Sequence, residues 1–434
     1  MSVREKPMHI LCSFIGVAPY TFDPKSSNLK FKTSICASIY TSLIIIVLLA
    51  IAVVNYQTME VNLRSESRVT LGAQWLQFYT NNGFSVIIVI VNTLQQWKIV
   101  KVFNEIFKTE YRLQNLPDDK ESCKEIFCGT LAMVIAVFLH LLITLTSYFD
   151  NQKRIDYYWF AYGILFLLNS MIVLQFLFVV VKVGIKFQNL SSRLLDCTQS
   201  EQPLFTLKSK QTNESSIHLT VEKIAEAHLN LINSTELLIS AFSYQLLICF
   251  ITGLIISVTG SYLICKRIIQ YSFELSDLHN FQGELERDYD WWALSCYPLV
   301  HSILLGIIIA VCHWTVSQSK LLDDVAPRVQ RSSHLLEKSS INALCQQLLL
   351  RQLSFGVLQL FTINPSMVFS IISTVLTYLI ILLQFELSQV SEVTAARDVL
   401  QSVAIDFWNY TIAYNSTIYD YNVSSIYASP DDDV

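Results

Sequence analysis

Seven apolar stretches, each long enough to cross a lipid bilayer, constrain this chain more than any other feature of its sequence. A transmembrane helix needs about 20 mostly apolar residues, because it rises 1.5 Å per residue and the hydrocarbon layer is about 30 Å thick. Only 15% of the residues are charged, against about 25% in soluble domains. We therefore predict an all-α membrane protein whose seven transmembrane helices cover residues 34–56, 71–94, 126–149, 157–183, 239–265, 292–316 and 365–387.

The distribution of lysine and arginine predicts the orientation of these helices. The N-terminal segment and the even-numbered connections hold 21 of the 30 Lys and Arg residues, whereas the odd-numbered connections and the tail hold eight. Because basic residues stay on the cytosolic side, the N-terminus is predicted to be cytosolic and the C-terminus extracellular. Apolar residues at helical spacing continue beyond the spans and predict cytosolic helical extensions. The predicted extracellular tail carries three candidate glycosylation sites, at Asn409, Asn415 and Asn422.

The polar residues do not form the pattern of an enzyme or a metalloprotein. The ten cysteines show no CxxC or Cys/His ligand spacing, and no catalytic cluster is evident at a membrane face. We therefore predict no enzymatic activity, no metal and no cofactor, and the net charge of −5 gives no indication of nucleic acid binding. A secondary transporter of small solutes stays open, although an odd number of spans and the lack of similarity between halves disfavour it.

A short motif in the seventh span relates the chain to a known family. Residues 377–385 read Thr-Tyr, five hydrophobic residues, then Gln-Phe, and this resembles the signature of insect gustatory receptors position for position. Two further segments are similar to that family: 355–364 before the seventh span, and Ala18-Pro19-Tyr20 before the first. With the inverted seven-span topology, the resemblance covers residues 1 to about 387 and favours the gustatory branch over the related insect odorant receptors.

The resemblance implies a ligand-gated, non-selective cation channel that conducts monovalent and divalent cations. It also implies a homotetramer, or a hetero-oligomer with related receptors, in the plasma membrane of a chemosensory neuron. A small-molecule tastant such as a sugar is the expected ligand. The chain then divides into a cytosolic N-terminal segment (1–33), a ligand-binding bundle (34–316), a cytosolic helical linker (317–364), a pore helix (365–387) and an extracellular tail (388–434).

The candidate pore residues lie on the seventh span. Small polar groups recur there at helical spacing and share one face of an apolar helix, which is typical of a wall that faces water. The same hydroxyl groups can instead bond to their own helix or to a neighbouring helix, and the spacing alone favours that reading. The resemblance favours the pore interpretation. Since hydrophobic rings can gate by excluding water, we hypothesise that Phe385, at the outer end of this helix, closes the pore; an interfacial anchor is the alternative. The candidate pore and gate residues are Ser370, Thr374, Thr377, Tyr378, Ile381, Gln384 and Phe385.

The candidate ligand-binding residues lie in the outer halves of spans two, four and six. Aromatic faces combined with a few hydrogen-bonding groups suit a small polar organic ligand. Tryptophan and tyrosine also line bilayer interfaces in many membrane proteins, and that reading remains open for each aromatic residue. Buried polar groups within a span are more often functional. The candidates are Trp75, Gln77, Asn82, Tyr158, Trp159, Tyr162, Trp292, Tyr297 and His301.

Overall fold

The fold is almost entirely helical. The computed structural model of the chain describes residues 20–22, 31–62, 68–114, 157–199, 210–274, 290–332 and 338–389. Six of the seven predicted spans coincide with helices in these ranges, and the third, 126–149, lies outside them. The eight described helices are α1 (Ile35–Asn62), α2 (Arg68–Leu94), α3 (Gln96–Gln114), α4 (Tyr157–Gln199), α5 (Lys210–Glu274), α6 (Asp290–Ser332), α7 (Lys338–Leu350) and α8 (Ser366–Gln389).

Three of these helices are much longer than a bilayer is thick. α5 has 65 residues and α4 and α6 have 43 each, which gives lengths of about 100 Å and about 65 Å. The hydrocarbon layer takes only about 30 Å of each. The helical extensions beyond the membrane are therefore confirmed, and the predicted spans are only one part of each helix.

Length and apolarity together identify the membrane-crossing helices. Four described helices qualify by themselves, at Leu167–Leu195, Val221–Ile269, Pro298–Arg331 and Ser366–Glu386. The pair α2–α3 is a fifth candidate if the two helices are counted together as one span. The chain bends by 61° between them. Within α1, the segment Ile35–Val47 is a shorter apolar helix.

Helix α3 does not continue the direction of α2 beyond the bend, because one face of α3 is apolar and buried and the other is exposed. Ile99, Phe103 and Ile106 are buried, whereas Trp97 and Lys101 are exposed. An amphipathic helix of this kind is stable along a boundary and not across a membrane.

A short strand is bonded to helix α3 by one amide side chain. Asn104 accepts a hydrogen bond from the Phe31 backbone N–H at 2.9 Å and donates one to the Phe31 carbonyl at 3.1 Å. The Phe31 ring lies 5.3 Å from the ring of Phe103. The strand β2 (Phe31–Thr33), which pairs antiparallel with β1 (Tyr20–Phe22), is thereby held against α3 at the entrance to α1.

The centre of the core is α4, which packs against α5 and α6. Its buried residues include Phe176, Val180, Val183 and Phe187, all at helical spacing. Close approach of α5 and α6 depends on Gly260, because a Cβ there would lie 2.6 Å from the Cβ of Pro298. The nearby hydroxyls of Ser257 and Ser302 lie 3.0 Å apart.

The extensions of α4, α5 and α7 pack together on the side predicted to be cytosolic. His228 of α5 is buried, with its ring edge-on to Phe187 at 5.7 Å. Gln347 of α7 lies 3.0 Å from His228 Nδ1 and donates to the carbonyl of Ala225 at 3.0 Å. The exposed ion pair between Arg351 and Glu236, at 3.8 Å, contributes little to stability compared with these buried contacts.

The buried imidazole of His228 makes stability depend on pH. Burial lowers the pKa of His228 to about 4, while the unfolded chain binds a proton below about pH 6.5. Stability is therefore fully present above pH 6.5 and falls by about 3 kcal/mol as the pH drops to 4. We expect the unfolding temperature of His228→Gln in detergent to fall less steeply than that of wild type between pH 6.5 and 4.5. If the unfolding temperatures of the two proteins fall equally steeply with pH, the buried imidazole of His228 is not the cause of the pH dependence.

The segment before α8 forms a short hairpin with three residues between its strands, a feature that was not expected from the sequence. Strands β3 (Gly356–Val357) and β4 (Phe361–Thr362) pair antiparallel. Leu358 and Gln359 have positive φ angles of 48° and 60°, as a type I′ turn requires, although glycine and asparagine are the usual residues there. Phe355 packs edge-on to Phe176 at 6.4 Å, and Phe361 packs edge-on to Phe250 at 5.6 Å. The core packing therefore holds an intrinsically unfavourable turn.

Helix α8 begins where its capping residues predict. The Asn364 side-chain oxygen accepts a hydrogen bond from the Met367 backbone N–H at 3.2 Å, and Pro365 stands at the first helical position. The apolar segment Ser366–Glu386 of α8 has no buried residue in the single chain. The chain forms two compact units, Met1–Leu379 and Ile380–Val434, and residues 380–389 are the described part of the second.

Candidate functional site

A cluster of amide and hydroxyl groups lies in the middle of the helix bundle, where α2 meets α4. Asn81 of α2 is fully buried. Asn169 of α4 donates a hydrogen bond from its Nδ2 to Ser85 Oγ at 2.7 Å, and Ser85 Oγ donates to the carbonyl of Asn81. The two helices are therefore joined by polar contacts at a depth where the surrounding residues are apolar.

The side chain of Asn81 has no hydrogen-bond partner for either its Nδ2 or its Oδ1 among the described residues. The same is true of the Oδ1 atoms of Asn82 and Asn169 and of the hydroxyl of Ser170. A buried amide without a partner costs roughly 2–7 kcal/mol in an apolar environment. Buried polar groups are normally hydrogen-bonded, so these atoms have unused capacity to bond to a group outside the described residues, whether water, a ligand or another part of the chain.

A second polar contact joins the outer ends of α2 and α5. The hydroxyls of Thr70 and Tyr262 lie 3.1 Å apart, and Lys266 Nζ donates to Thr70 Oγ1 at 2.5 Å. Tyr262 is fully buried. This contact holds the two helices together at the end of the bundle predicted to be extracellular.

Of the ligand-binding candidates predicted from the sequence, Gln77, Asn82 and His301 are buried in the bundle. Asn82 Nδ2 donates to the carbonyl of Phe78 at 2.8 Å, so that half of its amide group is bonded to its own helix. Trp75 stacks on Tyr79 at 5.5 Å. The other candidates lie on helices α4 and α6, but their side chains are outside the described part of the structure: Tyr158, Trp159, Tyr162, Trp292 and Tyr297.

Several residues of this site are not among the candidates predicted from the sequence, although one pattern in α2 identifies them. Thr70, Gln74, Gln77, Asn81 and Ser85 follow i, i+4, i+7, i+11, i+15 spacing and so share one helical face. A stripe of five polar side chains along an otherwise apolar span is expensive unless it faces polar groups. The spacing distinguishes Asn81, which belongs to the stripe, from its neighbour Asn82.

The pore candidates lie on α8, where the hydroxyl groups bond to their own helix. Thr374 Oγ1 donates to the carbonyl of Ser370 at 2.7 Å, and Thr377 Oγ1 donates to the carbonyl of Ser373 at 2.8 Å. These bonds match the alternative interpretation of the polar spacing, in which the hydroxyl groups bond to their own helix. Each hydroxyl oxygen still has lone pairs to accept hydrogen bonds from water. Tyr378, Ile381, Gln384 and Phe385 are exposed in the single chain.

The hairpin connects the helix bundle to the pore candidates. Phe355 and Phe361 contact α4 and α5, and Asn364, three residues after Phe361, caps α8. The packed hairpin therefore joins the core helices α4 and α5 directly to the start of α8. The predicted glycosylation sites Asn409, Asn415 and Asn422 lie outside the described residues.

An all-α bundle of long apolar helices, with a buried polar cluster and an exposed last helix, defines a multi-span membrane protein. The family model of the 7tm chemosensory receptors matches residues 5–389. The chain therefore belongs to the 7tm chemosensory receptor family. This confirms the seven-helix fold and the resemblance to insect chemoreceptors.

Solved structures show the same fold. The insect olfactory receptor OR5 from Machilis hrabei is similar, with a TM-score of 0.58, and the same receptor in complex with eugenol has a TM-score of 0.59. In both comparisons the sequences are 13% identical, and the match covers 88% of this chain and 97% of that chain. No curated protein is significantly similar to this chain in sequence.

Proposed function

We propose that this chain is a gustatory receptor that acts as a ligand-gated, non-selective cation channel and opens when a small-molecule tastant such as a sugar binds. The observation that carries the gustatory assignment is the Thr-Tyr and Gln-Phe motif at 377–385. An odorant-type receptor channel is the second candidate, because the similar OR5 is an olfactory receptor. The site of action is the plasma membrane of a chemosensory neuron.

The ligand site in this proposal is the polar cluster around Asn81. The Asn81 amide offers an unpaired donor and an unpaired acceptor. The hydroxyl of Ser170, the residue after Asn169, adds a third unpaired group among the described residues. Neutral groups of this kind, in a bundle of apolar helices, match an uncharged ligand with several hydroxyl or carbonyl groups. OR5 was solved in complex with eugenol, which supports a small-molecule ligand for a receptor of this fold.

The pore in this proposal is formed by copies of α8. The apolar segment Ser366–Glu386 of this helix has no buried residue in the single chain. Partner helices in a homotetramer or a related hetero-oligomer would cover this segment. The face that contains Ser370, Thr374 and Thr377 lines the water-filled pore, Phe385 closes it, and Gln384 stabilises one of the two states. Glu386, one residue beyond Phe385, attracts monovalent and divalent cations at the mouth.

The division of the chain follows from these assignments. Residues 1–33 are the cytosolic N-terminal segment, 34–316 the ligand-binding bundle and 317–364 the cytosolic linker. Residues 365–387 are the pore helix, and 388–434 form the extracellular tail. Binding at the bundle opens the pore through the hairpin and the cap of α8.

The experiment that tests this proposal is to record membrane current from cells that express the chain alone while sugars, then bitter compounds, are applied. We expect a ligand-evoked cation current that needs no G protein. Asn81→Leu should shift the activation curve at least about tenfold to higher concentration, because one or two hydrogen bonds to the ligand are lost. Its folding should not suffer, since the substitution removes an unpaired buried amide.

The matched control is Asn233→Leu, the same substitution at an exposed position of α5, which should respond like wild type. An Asn81→Leu receptor with wild-type sensitivity would exclude the cluster as the ligand site. A current that depends on a solute gradient, with stoichiometric uptake, would exclude the channel and favour a transporter.

A further inference from the structure

A groove on the surface of α1 shares no lining residue with the polar cluster or with α8. It has a volume of about 440 Å³ and is lined by residues from β2, the first two turns of α1 and the start of α3. One wall is apolar, with Ile35, Ile39 and Leu43 exposed at helical spacing. The other wall carries polar groups: Thr33, Ser34, Ser38, Ser42 and Gln96.

The polar wall of the groove is ordered by hydrogen bonds. Ser38 Oγ lies 3.0 Å from the carbonyl oxygen of Ser34 and 3.2 Å from Gln96 Oε1, and Ser42 Oγ donates to the carbonyl of Ser38 at 2.9 Å. The single proton of the Ser38 hydroxyl is shared between its two acceptors, and the Nε2 donors of the Gln96 amide can bond to an oxygen-rich group in the groove. The wall therefore suits a phosphate or ester oxygen.

The position of the groove is the cytosolic boundary of the membrane. It lies at the start of α1 and at the 61° bend between α2 and α3, both of which the distribution of basic residues places on the cytosolic side. Trp97, next to Gln96, is 57% exposed, as is typical of an interfacial tryptophan. An open, partly apolar groove at this boundary is accessible to lipid.

Basic residues are close in sequence to the residues that line the groove. Lys32 is exposed beside Thr33, and Lys101 is exposed one turn before Asn104, the residue that holds β2 on α3. Lys98 lies over the Trp97 ring at 5.6 Å and 3.4 Å from Ser240 Oγ. Glu105 is the exposed acidic residue on the same stretch of α3, so the lysines outnumber it three to one.

We propose that this groove is a binding site for an anionic phospholipid of the cytosolic leaflet. One acyl chain lies along Ile35, Ile39 and Leu43. The phosphate and ester oxygens face the Gln96 amide and the serine hydroxyls, and the headgroup carboxylate or phosphate interacts with Lys32 and Lys101. Clusters of lysine at the cytosolic surface attract anionic lipids, and the groove adds a fixed place for one molecule.

The test is native mass spectrometry of the purified full-length chain in detergent, with phosphatidylserine and phosphatidylcholine added in equal amounts. We expect phosphatidylserine to be retained about tenfold more than phosphatidylcholine. The double variant Lys32→Gln/Lys101→Gln should retain the two lipids equally, because two exposed charges are lost without any change in packing. Lys320→Gln, at an exposed position of α6, is the matched control and should keep the preference.

A second variant tests whether the groove itself holds the lipid. Ser38→Trp fills the groove and should abolish retention of phosphatidylserine. Equal retention of both lipids by wild type would overturn the proposal. It would also be overturned if Ser38→Trp kept the preference, or if Lys320→Gln lost it as fully as the double variant, since the attraction would then be diffuse.

Discussion

Phe385→Ala is expected to give a constitutive cation current in cells that express the chain alone. In the proposed pore, one phenyl ring from each subunit closes the path by excluding water, and a hydrophobic constriction of this kind opens when its side chains are truncated. Phe385 is 58% exposed in the single chain, so more than half of its surface is accessible to partner copies. The measurement is the resting current, compared with wild type at equal surface expression.

The matched control is Phe369→Ala near the other end of the same helix, where the ring is 74% exposed. This variant removes the same side chain at a position outside the proposed gate and should leave the resting current at background. Background current from well-expressed Phe385→Ala would place the gate elsewhere on α8 or would contradict the channel. Constitutive current from both variants would indicate a general loss of assembly instead of an opened gate.

Gly260→Val is expected to abolish surface expression of the receptor. A Cβ at this position would lie 2.6 Å and 2.7 Å from the Cβ and Cγ atoms of Pro298. The pyrrolidine ring is fixed to the backbone and cannot rotate away, so α5 and α6 must separate. Overpacking of this kind costs roughly 3 kcal/mol, and separation would also break the contact between Ser257 and Ser302 beside His301. Surface biotinylation and size-exclusion chromatography measure the loss.

Gly306→Val is the control for Gly260→Val, because a Cβ at Gly306 of α6 has no described atom within 4 Å. This variant should reach the cell surface at the wild-type level. The double variant Gly260→Ala/Pro298→Gly gives a second measurement, since glycine removes the Cβ of residue 298 together with the ring and frees space for the added methyl group. Surface expression of Gly260→Val at the wild-type level would show that the two helices can separate at little cost.

Features that depend on a short stretch of residues were predictable from the sequence. Six of the predicted spans coincide with described helices, because apolarity over about 20 residues is decided locally. The start of α8 was predictable for the same reason, since Asn364 and Pro365 act on the adjacent turn. The seven-helix receptor class followed from these spans and from the motif at 377–385.

The hairpin before α8 was not predictable. Leu358 and Gln359 carry no signal for positive φ, and they adopt it because the packing of Phe355 and Phe361 on α4 and α5 stabilises the turn more than the backbone strain costs.

The site shows the same division between local pattern and tertiary contact. The sequence by itself determined that polar side chains lie along α2, because their spacing sets a common helical face. Only the tertiary structure decided that Asn81 is fully buried with its amide unpaired among the described residues, while Asn82 bonds to its own helix. Hydrogen bonding depends on which atoms the neighbouring helices bring within about 3 Å, and residues distant in sequence, such as Asn169 and Tyr262, meet α2 only when the chain is folded.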